Sequence, residues 1–227
     1  GNYSIVVNLY GRRFADESQG KQVYPIRGGG EQLINQETAR QPEACAAYIW
    51  DGPVNEKRVC ADCGLGDLDK YPAYRDIGAP VAKADTILDL VQQMEKWNRG
   101  LSAEVLYQEI TEYNQAAKNG KAWALRIPKL MAGDAIPVET PPFYAIMCQS
   151  GITSTFGGIR VNALGQVLSR TGRPIKGLYA SGTDIGGHSN YVYNGNLCMG
   201  AGFGMVSGEG GAKEPAPRGG WEIAPFV

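Results

Sequence analysis

The spacing of apolar residues predicts strands near the start of the chain. The β-branched run at residues 3–8 predicts a strand that ends in a turn at 9–12, and residues 46–50 predict a second strand. Residues 31–40 fit a short helix. Residues 52–83 show weak periodicity and several prolines, so we expect them to be rich in loops.

Two consecutive helices are predicted by apolar stripes at helical spacing. Thr86 and Asp89 have the spacing of a capping box, and Gly100 is expected to stop the helix that they begin. Ser102 is expected to cap a second helix, which ends at residues 119–120. Helical hairpins of this kind usually serve packing, so no chemistry is assigned to this one.

In the last third of the chain the pattern returns to strands. Four strands are predicted there, at residues 143–148, 158–161, 166–168 and 177–182. A final helix is predicted over residues 197–211, with Gly200, Gly204 and Gly208 on one face. Each interior glycine costs about 1 kcal/mol relative to alanine. We therefore expect this face to approach a sheet or a cofactor closely.

Glycine is distributed unevenly, which suggests two structural units. Residues 151–227 hold 18 of the 31 glycines, and we place the seam between the units near residues 140–158. The net charge of −1 argues against a nucleic-acid-binding protein, since such proteins usually carry a clustered basic excess. The hydrophobic fraction of 43% excludes a mainly disordered chain.

Membrane insertion and metal binding are not expected. No apolar run approaches the roughly 20 residues needed to cross a bilayer, and no signal-peptide pattern is found, so we expect a soluble, cytoplasmic protein. Cys60 and Cys63 have the spacing of a zinc or redox pair, but the chain has no second such pair and a single histidine, His188. Reduced, unlinked thiols are the preferred interpretation, with no metal.

The segment 177–211 carries the richest candidate chemistry. A short strand ends at residues 181–184, and a helix is expected to begin near Asn196. The positive end of that helix favours an anion or an electron-rich ring edge. Asp184 is placed to accept hydrogen bonds from ribose or ribityl hydroxyls. A tight connection with glycines for packing alone is an equally valid interpretation.

A complete site for the phosphates of a dinucleotide is not expected. No G-x-G-x-x-G motif follows a strand anywhere in the chain, and the glycines at 200–204 have the wrong final spacing and lie within a helix.

An ordered set of segments resembles the C-terminal part of the fumarate reductase/succinate dehydrogenase-type FAD flavoproteins. The segments are residues 7–17, 142–146, 155–162, 165–168 and 174–182. The resemblance implies an α+β protein with two domains. An α/β capping domain at 1–150 would be followed, at 151–227, by the C-terminal strands and helix of a Rossmann-like FAD-binding domain.

The resemblance also implies FAD as the cofactor and a set of site residues. The residues implied to lie along FAD are Gly157, Gly158, Gly182, Asp184, Gly195, Asn196 and Leu197. Those implied to face the substrate are Ser154, Thr155, Tyr191 and His188. Glu17 matches the glutamate of the family's proton path, and Tyr193 resembles the tyrosine that polarises the substrate carbonyl in 3-ketosteroid dehydrogenases.

Departures from the fumarate reductases affect the expected substrate. Ser154, Tyr193 and Asn55 stand where those enzymes place a histidine and two arginines. Neutral groups cannot supply the bidentate clamps that a dicarboxylate needs, so we do not expect fumarate reduction. The expected reaction moves hydride between flavin N5 and a C–C bond next to a carbonyl of a small organic substrate.

An alternative function remains open at the level of sequence. The chain by itself would be a non-catalytic substrate cap, inactive without an N-terminal FAD-binding segment supplied by the same or a second chain. The expected partners are therefore a small-molecule substrate and that segment, and a homo-oligomer is possible.

Overall fold

The structure is a computed structural model that describes residues 3–18, 29–58, 70–152, 155, 157–188 and 196–214. The chain divides into two compact units, Gly1–Gly151 and Ile152–Val227. Helices and strands occur in both units. The mixed helix and strand content that the sequence predicts is therefore confirmed.

The first unit is built on a four-stranded antiparallel sheet. Its strands are β1 (Ile5–Val7), β2 (Cys45–Trp50), β3 (Val81–Ala84) and β4 (Phe143–Gln149). The order across the sheet is β1-β2-β4-β3, with β2 and β4 at its centre. Most residues of these two strands are buried, because both faces of the sheet are covered.

Alternation along β2 assigns its side chains to two cores. Cys45, Ala47 and Ile49 belong to the main core, whereas Tyr48 and Trp50 belong to an aromatic cluster on the opposite face. Successive side chains of a strand point to opposite faces, so this register is the one expected for a sheet that is buried on both sides.

Five helices are described in the first unit. They are α1 (Gly29–Ala39), α2 (Gly52–Arg58), α3 (Lys70–Asp76), α4 (Ile87–Glu95) and α5 (Ala103–Lys118). The buried stripes of α4 and α5 pack into the main core beside the sheet. This packing, more than helix propensity, stabilises both helices.

The helix starts predicted from capping residues are confirmed. The Thr86 hydroxyl accepts a hydrogen bond from the Asp89 backbone N–H at 3.1 Å, and the Ser102 hydroxyl accepts one from Val105. The predicted stop at Gly100 is wrong, since α4 ends at Glu95. Gly100 instead lies in the following loop with a φ of +82°.

Residues 52–83, which were expected to be rich in loops, hold more regular structure in their described part than that expectation implies. They contain α2, α3 and most of β3. The start of α2 has a local signal, because Asp51 accepts a hydrogen bond from the Val54 N–H and Pro53 lies in the first turn, where its missing N–H is not needed.

The second unit consists of a two-stranded antiparallel sheet and one long helix in its described part. Its elements are β5 (Gln166–Leu168), β6 (Pro174–Tyr179) and α6 (Asn196–Lys213). The strand predicted at 177–182 is displaced, because β6 ends at Tyr179 and Gly182–Asp184 form a turn of 3-10 helix.

The strand predicted at 158–161 is wrong. Ile159 bridges to Ile185 and Val161 bridges to Val167, so two neighbouring positions pair with different segments and no continuous ladder forms.

Only one of the three glycines singled out on α6 approaches another backbone closely among the described residues. A Cβ built on Gly200 would lie 3.7 Å from the Gly182 Cα, whereas one on Gly204 or Gly208 meets no described atom within 4 Å. The tight contact falls instead at Gly210, where a Cβ would lie 2.8 Å from the ring of Tyr179.

Candidate functional site

In the second unit, Gly158 and Gly186 allow the two backbone segments that contain them to meet. The Ile159 N–H donates to the Asp184 carbonyl at 2.7 Å, and the Gly186 N–H donates to the Ile159 carbonyl at 3.0 Å. A Cβ on Gly158 would lie 2.5 Å from the Asp184 carbonyl oxygen. Glycine is therefore required at 158 for this pairing.

The turn Gly182–Asp184 lies beside the first turns of α6. Gly182 has a φ of +69°, and a Cβ built on it would lie 3.9 Å from the Gly200 Cα. The Asp184 side chain is exposed and makes no hydrogen bond or ion pair with any residue that the structure describes. Its carboxylate is thus available to accept hydrogen bonds.

These features fit part of a flavin nucleotide. A helix of 18 residues has, at its start, N–H groups without an intrahelical partner and a positive partial charge, which suit an electron-rich ring edge or an anion. The free carboxylate of Asp184, close to the glycine turn, suits the hydroxyls of a ribityl chain. Gly158, Gly182, Asp184 and the start of α6 are therefore brought into one part of the second unit.

The remaining predicted residues of this unit are placed as follows. Thr155 is exposed and its hydroxyl donates to the Gly157 carbonyl at 3.1 Å, while a Cβ on Gly157 would meet no described atom. His188 is half-buried at the end of its loop, and the Leu197 side chain is 85% exposed. Ser154, Tyr191, Tyr193 and Gly195 lie outside the described residues, as do Cys60 and Cys63 of the first unit.

In the first unit, Glu17 is buried in an ion pair with Arg13. The Arg13 Nε and Nη2 atoms donate to the two carboxylate oxygens at 2.8 and 2.6 Å, and the Val6 N–H donates to one of them at 3.1 Å. Both residues are almost fully buried. Burial opposes the charge of Arg13, but its bonds to Glu17 outweigh this and raise the pKa of the guanidinium.

A second buried cation lies near the same carboxylate. The Lys129 Nζ is 3.8 Å from a Glu17 oxygen and donates to the Ser4 carbonyl at 3.3 Å. Burial lowers the pKa of Lys129, and the charge of Glu17 opposes this effect. The Tyr113 ring lies against both cations, with its centroid 5.2 Å from the Arg13 Cζ and 5.3 Å from the Lys129 Nζ.

Sequence reasoning identified Glu17 but missed the other members of this charge cluster. Arg13 and Glu17 are four residues apart but lie in no helix, so their spacing alone did not predict the ion pair. Nothing local to Lys129 shows that it contacts Glu17, because the two residues are distant in the chain. The cluster holds a carboxylate between two cations in a water-poor interior, where its charge interactions are strong.

In α2, which follows β2, Asn55 presents a neutral amide whose orientation is set by Trp50. The Trp50 indole N–H donates to the Asn55 Oδ1 at 3.0 Å. Because an indole N–H can only donate, the oxygen must face it, and the two hydrogens of the amide nitrogen point away. Trp50 is itself fixed by stacking on Tyr144, with ring centroids 5.6 Å apart.

Metal and membrane features are not found in the part of the chain that the structure describes. No group of three or more histidine, cysteine, aspartate or glutamate side chains could hold a metal ion there. No described helix is both long and apolar enough to span a membrane.

Comparison with known proteins identifies the family. The sequence model of the FAD binding domain family matches residues 2–196. The vinyl phenol reductase of Lactiplantibacillus plantarum is 32% identical over 87% of this chain and 40% of that protein. The cytochrome-type fumarate reductase of Shewanella frigidimarina is 27% identical over 94% of this chain and 32% of that protein.

A solved structure shows the same fold. The 3-ketosteroid Δ1-dehydrogenase of Sterolibacterium denitrificans aligns with a TM-score of 0.62 at 22% identity, over 92% of this chain and 38% of that one. The chain thus spans about a third to two fifths of the length of these proteins. The resemblance drawn from the sequence is confirmed: the chain belongs to the FAD binding domain family, whose cofactor is FAD.

Proposed function

We propose that this chain provides the substrate cap and the C-terminal part of the flavin domain of an FAD-dependent oxidoreductase. The first unit would be the cap and the second unit the flavin-domain part. The observation that carries this proposal is the meeting of the Asp184 turn with the start of α6, which offers hydrogen-bond acceptors and donors to a flavin nucleotide.

The residues proposed to hold FAD belong to the second unit. They are Gly157, Gly158, Gly182, Asp184, Gly195, Asn196 and Leu197. Asp184 would accept from ribityl hydroxyls, and the backbone N–H groups at the start of α6 would face the ring edge where negative charge develops on reduction. The bound flavin supplies a two-electron hydride acceptor or donor at N5.

The proposed substrate is a small, neutral organic molecule with a C–C bond next to a carbonyl. Asn55 offers amide hydrogens in place of a guanidinium, so it can bind one oxygen but cannot clamp a carboxylate in bidentate fashion. Tyr193 would donate a proton or hydrogen bond to the substrate oxygen, with Ser154, Thr155, Tyr191 and His188 facing the substrate. The name of the vinyl phenol reductase, a similar protein, agrees with a neutral unsaturated substrate.

Glu17 is proposed to act on the proton path of this reaction, as its match to the family's glutamate implies. Its ion pair with Arg13 and its contact with Lys129 support a fixed position for the carboxylate. The fixed carboxylate oxygens would serve as hydrogen-bond acceptors for the groups of that path.

A second candidate function is that of a cap without its own flavin. The observation that favours it is the lack of a G-x-G-x-x-G motif after any strand in the sequence, because that motif holds the pyrophosphate of FAD. In this case an additional FAD-binding segment would be the essential partner.

The visible absorption spectrum of the purified chain, before and after addition of FAD, separates the two functions. We expect bound flavin that survives gel filtration and that decreases in the variant Asp184→Ala. The matched control is Asp85→Ala, an exposed aspartate of the first unit. A colourless protein that takes up no FAD would contradict flavin binding by this chain and support the second candidate.

A further inference from the structure

The first unit contains a cavity of about 690 Å³ to which the proposed function assigns no ligand. Its walls come from the turn at residues 8–14, the α5 helix and the segment 125–127. The volume lies within the roughly 300–1,000 Å³ typical of small-molecule sites. All lining residues are in the first unit, so the cavity does not depend on the second unit or on FAD.

Hydrogen bonds fix the wall formed by the turn. The Asn8 Oδ1 accepts from the N–H groups of Tyr10 and Arg12 at 3.0 and 3.2 Å, and the Asn8 Nδ2 donates to Gln41 at 3.0 Å. Gly11 packs on α5, where a Cβ would lie 3.2 Å from Val105. The cavity is therefore preformed, which reduces the entropy lost on binding.

Three arginines line the cavity, and two of them are neutralised. Arg13 is paired with Glu17, and the Arg12 Nη1 lies 3.0 Å from a Glu109 oxygen. The third, Arg126, makes no ion pair with any residue that the structure describes, and its Nη2 donates only to the Arg13 carbonyl at 2.7 Å. Arg126 is thus an exposed guanidinium that is held in place, while its other N–H groups have no partner among the described residues.

The rest of the lining combines an apolar surface with one extra carboxylate. Tyr10 is 68% exposed at the cavity, and Phe14, Leu125 and Ile127 are half-buried. Glu112 is exposed, without an ion-pair partner in the described part of the chain. Its charge would repel a second negative charge on a ligand, so the lining favours a single anionic group over a dianion.

We propose that this cavity binds a small aromatic monocarboxylate. The carboxylate would take the free N–H groups of Arg126, whose planar geometry suits a bidentate contact. The ring would lie on Tyr10 and Phe14, since aromatic pairs in offset or edge-to-face contact are favourable. The site is built from residues of the first unit alone.

Binding of 3-phenylpropionate to the ¹⁵N-labelled chain, followed by NMR, tests this proposal. We expect saturable shifts of the backbone amides of Gly11, Arg12 and Ile127. The neutral analogue 3-phenylpropanamide should bind roughly tenfold more weakly, because it lacks the charge-assisted bonds. Inorganic phosphate at equal concentration should not displace the ligand, because it cannot use the aromatic wall.

Variants of the two walls complete the test. Arg126→Gln should weaken binding roughly tenfold or more and Tyr10→Ala several-fold, whereas Arg75→Gln, an exposed arginine of α3 outside the cavity, should leave it unchanged. The proposal is overturned if Arg126→Gln binds as tightly as wild type, if the amide or phosphate competes equally, or if millimolar 3-phenylpropionate causes no shifts.

Discussion

Tyr113 carries a buried hydroxyl group that finds no hydrogen-bond partner among the described residues. The side chain is 1% exposed, and its ring packs against the Arg13 and Lys129 cations. A buried, unpaired hydroxyl destabilises the folded state by about 1–3 kcal/mol. The favourable contacts of this residue therefore come from its ring.

Tyr113→Phe should leave the free energy of unfolding unchanged at neutral pH or raise it by about 1 kcal/mol, because it removes an unsatisfied donor and keeps the ring. Tyr107→Phe, on the exposed face of the same helix, is the matched control. Urea denaturation measures both. A loss of more than about 2 kcal/mol in Tyr113→Phe alone would contradict an unpaired hydroxyl.

Tyr113→Phe should also change how the free energy of unfolding depends on pH. Burial raises the pKa of Tyr113 above its ordinary value of 10.0, so the folded state favours the neutral phenol. The contribution of this preference to the free energy of unfolding is fully present below about pH 10. It is lost as the pH rises further towards the pKa that Tyr113 has in the folded state. The alkaline loss of stability should therefore be smaller in Tyr113→Phe than in wild type.

At the scale of elements, the contact between Gly158 and the segment 184–186 determines how the second unit packs. Two backbone hydrogen bonds pair the segments at Ile159, and no Cβ fits at Gly158. The pairing brings the Asp184 turn to its place beside α6, so a change at Gly158 should affect the whole turn.

Gly158→Ala should destabilise the second unit by about 1–3 kcal/mol, because its Cβ must displace the Asp184 carbonyl. Gly157→Ala is the matched control, since a Cβ there meets no described atom. Hydrogen exchange at the Ile159 and Gly186 amides is the measurement. Equal protection of these amides in the two variants would show that the segments are not paired as described.

Elements whose signals are local were predictable from the sequence. Thr86 and Ser102 marked the starts of α4 and α5, because a helix N-terminus needs a side-chain acceptor within a few residues. The α2 helix was missed because the prolines of residues 52–83, Pro53 among them, were interpreted as loop signals, although Asp51 and Pro53 stand at the start of this helix. The same residue types end one element and begin the next.

At the scale of the whole molecule, Asp51 connects segments that are far apart in the sequence. Its Oδ1 accepts from Val54 at the start of α2, and its Oδ2 accepts from the N–H groups of Glu139 and Thr140 at 3.2 Å. Asp51 is 2% exposed, and these hydrogen bonds join the start of α2 to residues 139–140, which precede β4. The Asp51 backbone carbonyl accepts from the Asn55 N–H at 2.9 Å.

Asp51→Asn should lower the free energy of unfolding by about 2–3 kcal/mol, because one oxygen becomes a donor that faces backbone N–H groups. Asp76→Asn, an exposed aspartate at the end of α3, serves as the control. Chemical denaturation compares the two. Equal stability of both variants would mean that Asp51 does not join the two segments in solution.

The sequence by itself determined the features that depend on near neighbours. These are the strands at residues 46–50 and 143–148, the helix caps, the glycine enrichment after residue 150 and the ordered motifs that identified the FAD-binding family. Each of these features depends on residues a few positions apart in the sequence, because strand and helix periods and the hydrogen bonds of helix caps span only a few residues.

Only the tertiary structure decided the features that join distant segments. The contact of Lys129 with Glu17, the bonds of Asp51 to residues 139–140 and the cavity at Arg126 have no local pattern in the sequence. The physical reason is that a buried charge or a cavity wall is defined by which segments meet, and that depends on strand order and register rather than on local spacing.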